Sequence, residues 1–192
     1  MKQQVTALSD KLDALNPETN FQNSLPLALS ENGYEFSGFY LFNFSENKIV
    51  SLFKLTNFDI KKSDVSAWLR KEEDPLLVEI SDKELAIFLN GLIIEKRGQR
   101  EGTHPEPEES LSNNMILRKL RIALNLKSEE MLNLFELVDR KLSKHELSAF
   151  FRKPDHKSYR NCMNQYLRNF LTALQLKYKN SLATQSTDNT SS

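Results

Sequence analysis

Apolar positions recur at helical spacing along most of this chain, and the clearest stripe lies near its end. Met163, Tyr166, Leu167, Phe170, Leu171 and Leu174 fall at i, i+3, i+4 and i+7 intervals, which predicts a helix over about Cys162 to Tyr178. Upstream, Ile116, Leu117, Leu120 and Leu124 have the same spacing, with Arg118, Lys119 and Arg121 around them. That pattern predicts a helix from Asn113. A helix capped by Ser128 then turns Met131, Leu134 and Phe135 inward. Ser143 and Glu146 form a capping box that opens a further helix, which Pro154 ends. The first half reads similarly. Ser45 caps a helix with Ile49, Leu52 and Phe53 on one face, and a helix spans Lys61 to Lys71. The capping box of Ser81 and Glu84 opens a helix that buries Leu85, Phe88, Leu89 and Leu92.

Other stretches lack this pattern. Val5, Leu8, Leu12 and Leu15 allow a short amphipathic helix that Asn16-Pro17 would end. Residues 31–42 carry Gly33, Gly38 and five aromatics, which suits an irregular or extended segment. Gly98 to Ser112 reads as a linker, broken by Gly and Pro and kept solvated by Glu101, Glu106, Glu108 and Glu109. Residues 181–192 are rich in Ser, Thr and Asn and are expected to be disordered.

The two halves repeat. Lys61 to Lys71 lies over Ser143 to Lys153 at an offset of 82 positions. Ser66, Ala67, Arg70 and Lys71 recur as Ser148, Ala149, Arg152 and Lys153. Val65, Trp68 and Leu69 become Leu147, Phe150 and Phe151, so the apolar class is kept. Without a gap, Asn43 to Gly98 lies over Asn125 to Asn180. Identity at apolar positions predicts that both copies build the same core, and that they pack on each other. The expected fold is all-α: two tandem helical-bundle repeats, 43–98 and 113–180, joined by linker 99–112. An atypical segment, 1–42, precedes them and a disordered tail, 181–192, follows.

Composition narrows the class. The 26 basic and 26 acidic residues of 192 cancel, and 39% hydrophobic content suits a globular protein. One cysteine, Cys162, excludes an intramolecular disulfide and fits a reducing cytoplasm. No stretch has the ~20 apolar residues of a membrane span, and the first 20 residues lack a signal-peptide core. A cytoplasmic protein away from membranes is expected.

The strings WLRKEED (68–74), FLNGLIIEKRG (88–98), NNMILRKLRIALNLK (113–127), LSKHELSAFFRKPDHKSYRNC (142–162) and QYLRNFL (165–171) resemble the YehS-like bacterial proteins. That family consists of two tandem copies of a domain of unknown function. The resemblance covers about Phe44 to Asn180 and implies a small helical cytosolic protein with no assigned activity. One departure stands out. Where the family's first copy opens with a helix like NNMILRKLRIAL, Glu31 to Phe42 read ENGYEFSGFYLF. Either that helix has been lost or the segment has another origin, such as a shifted frame or a fusion.

Charge is uneven: 113–180 hold 14 Lys/Arg against 6 Asp/Glu, and 31–98 hold 9 against 12. The basic half can meet phosphate, the acidic half or the acidic linker. Its three helices also resemble a repressor-type helix-turn-helix, with the third as the reading helix. There His145, Ser148, Ala149 and Arg152 would form the outer face with Lys144 and Lys153 beside them, and Arg118 and Arg121 are further candidate nucleic-acid contacts. No catalytic, cofactor or metal site is expected. His145, His156 and Cys162 match no zinc spacing, and Cys162 aligns with Ile80 as a buried thiol. The function expected is a non-enzymatic interaction or regulatory module, with an unknown protein partner or self-association. The alternative is a nucleic-acid-binding regulator acting through the second repeat.

Overall fold

The computed structural model describes residues 28–29, 35–36, 44–70, 74–99 and 106–188, of which 28–29, 35–36 and 178–188 are described as backbone only. The proposed helix in 1–17 and most of the departure at 31–42 lie outside them. Two short strands, β1 (Ala28–Leu29) and β2 (Glu35–Phe36), pair antiparallel, with Ala28 opposite Phe36. Helices then follow as α1 (Glu46–Lys54), α2 (Lys62–Trp68), α3 (Asp82–Arg97), α4 (Asn113–Ala123), α5 (Ser128–Leu137), α6 (Lys144–Ala149) and α7 (Asn164–Asp188). Among the described residues no helix precedes α1.

The repeat is physical. Phe53 meets Phe88 at 6.4 Å between ring centroids, tilted 40°; Phe135 meets Phe170 at 5.8 Å, tilted 38°. All four rings are fully buried. After α2, the Val78 N–H donates to the Ala67 carbonyl at 3.3 Å; after α6, the Arg160 N–H donates to the Ala149 carbonyl at 3.3 Å. Asn57 and Asp139, which end α1 and α5, sit at φ 60° and 55°. Asn and Asp tolerate that left-handed conformation better than most residues. The two halves therefore share side-chain contacts and backbone turns alike. Their buried apolar residues form one continuous cluster rather than two cores.

Several helix ends differ from expectation. Helix α6 stops at Ala149 rather than at Pro154, and α2 stops at Trp68 rather than at Lys71. The last turn of α6 tightens: the Phe150 and Phe151 N–H groups donate to carbonyls three residues back, those of Leu147 and Ser148, at 3.3 and 3.1 Å. The Ala149 carbonyl is taken by Arg160 N–H, that of Phe150 by the Asn114 amide at 2.9 Å, and that of Phe151 by Arg118 at 2.7 Å. Ser128 is the first residue of α5 and Lys127 is its cap, with the Glu130 carboxylate accepting from the Lys127 N–H at 2.7 Å. Helix α7 starts at Asn164 and runs past Tyr178 to Asp188, so the tail expected to be disordered from 181 begins as helix. No Gly or Pro interrupts that stretch. The linker is docked along its second part. Leu111 is buried, its N–H donates to the Asp82 carboxylate at 2.8 Å, and Glu109 pairs with Lys83 at 2.7 Å.

Helix α3 lies at the centre. It buries an unbroken run from Leu85 to Leu92, so no side of that run faces water. One side meets α1, and α4 of the second copy packs along another. A Cβ placed on Gly91 would lie 2.1 Å from the Leu52 carbonyl oxygen, so only glycine permits this approach of α1. Its counterpart α7 buries only Leu167, Phe170, Leu171, Ala173 and Leu174 over its described side chains. Where α3 has Ala86 and Ile87, α7 has Arg168 and Asn169.

The other end of α4 is fixed to its own copy. The buried Asn114 amide donates to the carbonyls of Phe150 (2.9 Å) and Arg160 (2.8 Å), and its oxygen accepts from Cys162 N–H at 2.9 Å. Asn113, also buried, donates to the Cys162 carbonyl and to Asn164 Oδ1 at 2.9 and 2.8 Å. Helix α4 is thus the joint between the repeats.

Candidate functional site

The α3–α4 seam opens into a groove of about 1090 Å³, closed on its far side by the turn after α6. Helix α4 turns Ile116, Leu117, Leu120 and Ala123 into the core. The residues between them, Arg118, Arg121 and the partly exposed Ile122, face the groove. Arg97 joins them from the last turn of α3, and Arg152 and Lys153 from the turn.

Two of these arginines are held by backbone carbonyls. Arg118 Nη2 donates to the Phe151 carbonyl at 2.7 Å. Arg121 Nε donates to the Leu126 carbonyl at 3.2 Å, and its guanidinium carbon lies 4.7 Å from the centre of the Phe151 ring. Arg152 Nη1 lies 3.0 Å from His156 Nε2. Its Nε is shielded from solvent and, among the described residues, has no hydrogen-bond partner. Lys119 pairs with Glu108 at 2.9 Å and also donates to Asn90 Oδ1 at 2.6 Å. Among the described residues, Arg97, Arg118, Arg121, Arg152 and Lys153 have no carboxylate within ion-pair distance.

Comparison of the repeats explains part of this excess. In the first copy Arg70 pairs with Asp74 at 2.8 Å, and the carboxyl of Asp74 is held below its ordinary range by the Leu76 N–H and by Arg70. In the second copy the same i, i+4 position holds His156, so Arg152 lacks that counter-charge. Leu69 likewise becomes Phe151, which places an aromatic ring beside the cations.

The residues singled out in the sequence separate into two groups. Arg118, Arg121, Arg152 and Lys153 converge on the groove. Lys144, His145 and Ser148 do not. They are exposed on α6, where Lys144 pairs with Glu129 at 3.1 Å. Ala149, expected on the outer face, is buried. Arg152 lies beyond the end of α6, so the proposed reading face is split. The sequence reading missed Arg97 and Lys119, because nothing local ties the end of α3 to α4. It also missed Asn113 and Asn114, whose only trace was two adjacent polar residues opening an amphipathic helix.

Other polar features have plain structural roles. Glu46 is held below its ordinary range by the Ser66 hydroxyl and then by Lys62, and Glu146 by its capping contacts with Ser143. Burial pushes the Cys162 thiol up to about 12, which leaves it protonated and unreactive at neutral pH. Among the described residues, no three of His, Cys, Asp and Glu converge on a common metal position. No helix among them is long and apolar enough to cross a membrane.

Fold and groove together define an all-α protein of two tandem repeats with a cationic seam. The family described as "Protein of unknown function (DUF1456)" matches residues 40–98 and 113–179, and this chain belongs to it. Among its relatives is "Uncharacterized protein YehS" of Escherichia coli (strain K12). The two are 39% identical over 136 residues, covering 70% of this chain and 87% of the relative. No solved structure matches the chain.

Proposed function

We propose that this protein is a non-enzymatic binding module whose working surface is the groove between its repeats, and that its partner there is a nucleic acid. One observation carries the reading: six cations line one concavity, and five of them, from three elements, have no carboxylate partner among the described residues. Like charges held together lower the stability of a folded chain unless an anion relieves them. Phosphodiesters supply such anions at regular spacing.

The test is fluorescence anisotropy with a labelled oligonucleotide over a salt series. If all five cations met phosphates, log K would fall with log salt at a slope of roughly −3.5 for a single strand or −4.5 for a duplex. Arg118→Glu with Arg121→Glu should weaken binding more than tenfold and flatten the slope. Lys153→Glu, at an exposed position, gives a milder loss without touching the Phe151 contact. Lys144→Glu, on the outer face of α6, should leave binding intact. If Lys144→Glu abolishes binding and the groove variants do not, the reading helix is α6 and the groove is the wrong surface. A second reading, association with another protein or with itself, draws on Leu76 and Val78, which are 63% and 52% exposed in the first copy. A single monomeric mass in light scattering at high concentration would count against self-association.

A further inference from the structure

We infer that the groove takes single-stranded nucleic acid in preference to duplex, with the Arg121–Phe151 pair as the surface on which a base stacks. This rests on the nucleic-acid reading of the same groove and adds the form of the ligand. A duplex hides its base faces, and proteins that read it push a protruding element into a groove of the DNA. Here the cations lie in a concavity of the protein, and the short helix α6, which exposes Lys144, His145 and Ser148, carries neither Arg152 nor Lys153. A flexible single strand can follow a concave surface, and its bases need flat partners once unstacked.

The groove supplies such partners. Phe151 packs against the core, and the Arg121 guanidinium covers one face of its ring at 4.7 Å, so the stacking plane is a guanidinium backed by an aromatic ring. Tyr159, half-buried, lines the same groove. Met115 and Ile122 add apolar surface between the cations, with Ile122 42% exposed. The first copy supports the pairing by contrast: it has Leu69 in place of Phe151 and a neutralised Arg70 in place of Arg152. Ring and unpaired arginine therefore occur together, in the second copy, whose turn after α6 lines the groove.

The test uses the full chain with labelled oligo-dT, oligo-U and a mixed-sequence duplex of equal length, with polyglutamate as a competing polyanion. Either single strand should bind at least tenfold tighter than the duplex, and polyglutamate should compete poorly. The arms with dT and U separate DNA from RNA. Phe151→Leu keeps an apolar side chain but removes the π face, and should weaken single-strand binding roughly tenfold, the scale of one lost stacking contact. It should leave the salt slope unchanged, because no phosphate contact is removed. Tyr159→Leu gives a second reading of the same effect if Phe151→Leu melts early. Equal or tighter duplex binding overturns the inference and leaves the groove reading standing. Full competition by polyglutamate shows a bare polyanion site and overturns it as well. Binding of no oligonucleotide at low salt discards both.

Discussion

Gly91→Ala sets two physical effects against each other. Within a helix, alanine is preferred over glycine by about 1 kcal/mol, so propensity alone predicts a more stable protein. Sterics predict the reverse. The new methyl carbon would lie 2.1 Å from the Leu52 carbonyl oxygen and 2.7 Å from its carbon, both backbone atoms that no rotamer change can move. Relief requires α1 to retreat from α3 by roughly 1 Å. That shift loosens Leu52 and Phe53, both fully buried, and Phe53 packs on Trp68 at 5.6 Å and on Phe88. Overpacking of this kind costs about 1–3 kcal/mol or more, and a backbone clash belongs at the upper end. The net effect is a loss of about 2 kcal/mol, or a Tm lower by roughly 4–8 °C. Thermal melts by circular dichroism give the number, and Trp68 fluorescence reports the site itself. The second copy has Ala173 at the equivalent place, fully buried. Ala173→Gly should therefore also destabilise, by about 1–2 kcal/mol from lost propensity and a small void. A higher Tm for Gly91→Ala would refute the close approach of α1 and α3.

Two further outcomes follow from buried polar groups. Asn114→Ala removes three hydrogen bonds to buried backbone and should cost about 3 kcal/mol in chemical denaturation. Asn114→Asp, though the same size, should cost more, because a carboxylate faces two carbonyls it cannot donate to. A smaller loss for Asp than for Ala would show that the two donated bonds do not hold α4. For Cys162, the thiol is raised to about 12 by burial, so the folded chain keeps a proton that the unfolded chain gives up near pH ~9. The stability this adds is full below pH ~9 and fades as pH climbs toward 12. Alkylation at pH 8 should accordingly track unfolding, and rapid labelling of the native chain would contradict the burial.

The order of helices was legible because it rests on local chemistry: capping boxes at Ser81 and Ser143, the cap at Ser45, and apolar stripes that survive duplication. Helix C-termini were less so. Ala149 ends α6 because the next two N–H groups turn back to Leu147 and Ser148 and the Ala149 carbonyl accepts from Arg160, farther along the chain. The groove was half legible. Arg118, Arg121, Arg152 and Lys153 were singled out from charge, but on the premise of one reading helix, whereas α4 and a turn bring them together. A usable clue was overlooked in α3. Its run LAIFLNGL has no polar face, unlike LRNFLTAL in α7, and a helix apolar all round must be covered on more than one side. That difference already implied that a helix from outside the first copy packs there.

The docking of α4 on α3 also governs how the molecule should come apart. A protease cut between residues 99 and 106 would sever the covalent connection, yet the seam, the Leu111–Asp82 bond and the Lys119–Asn90 bond all lie outside that interval. Nicked chains should migrate as one particle until denatured. Either fragment made alone would have to shield a helix flank evolved to be covered, so co-expression, not separate purification, is the route to recovering both.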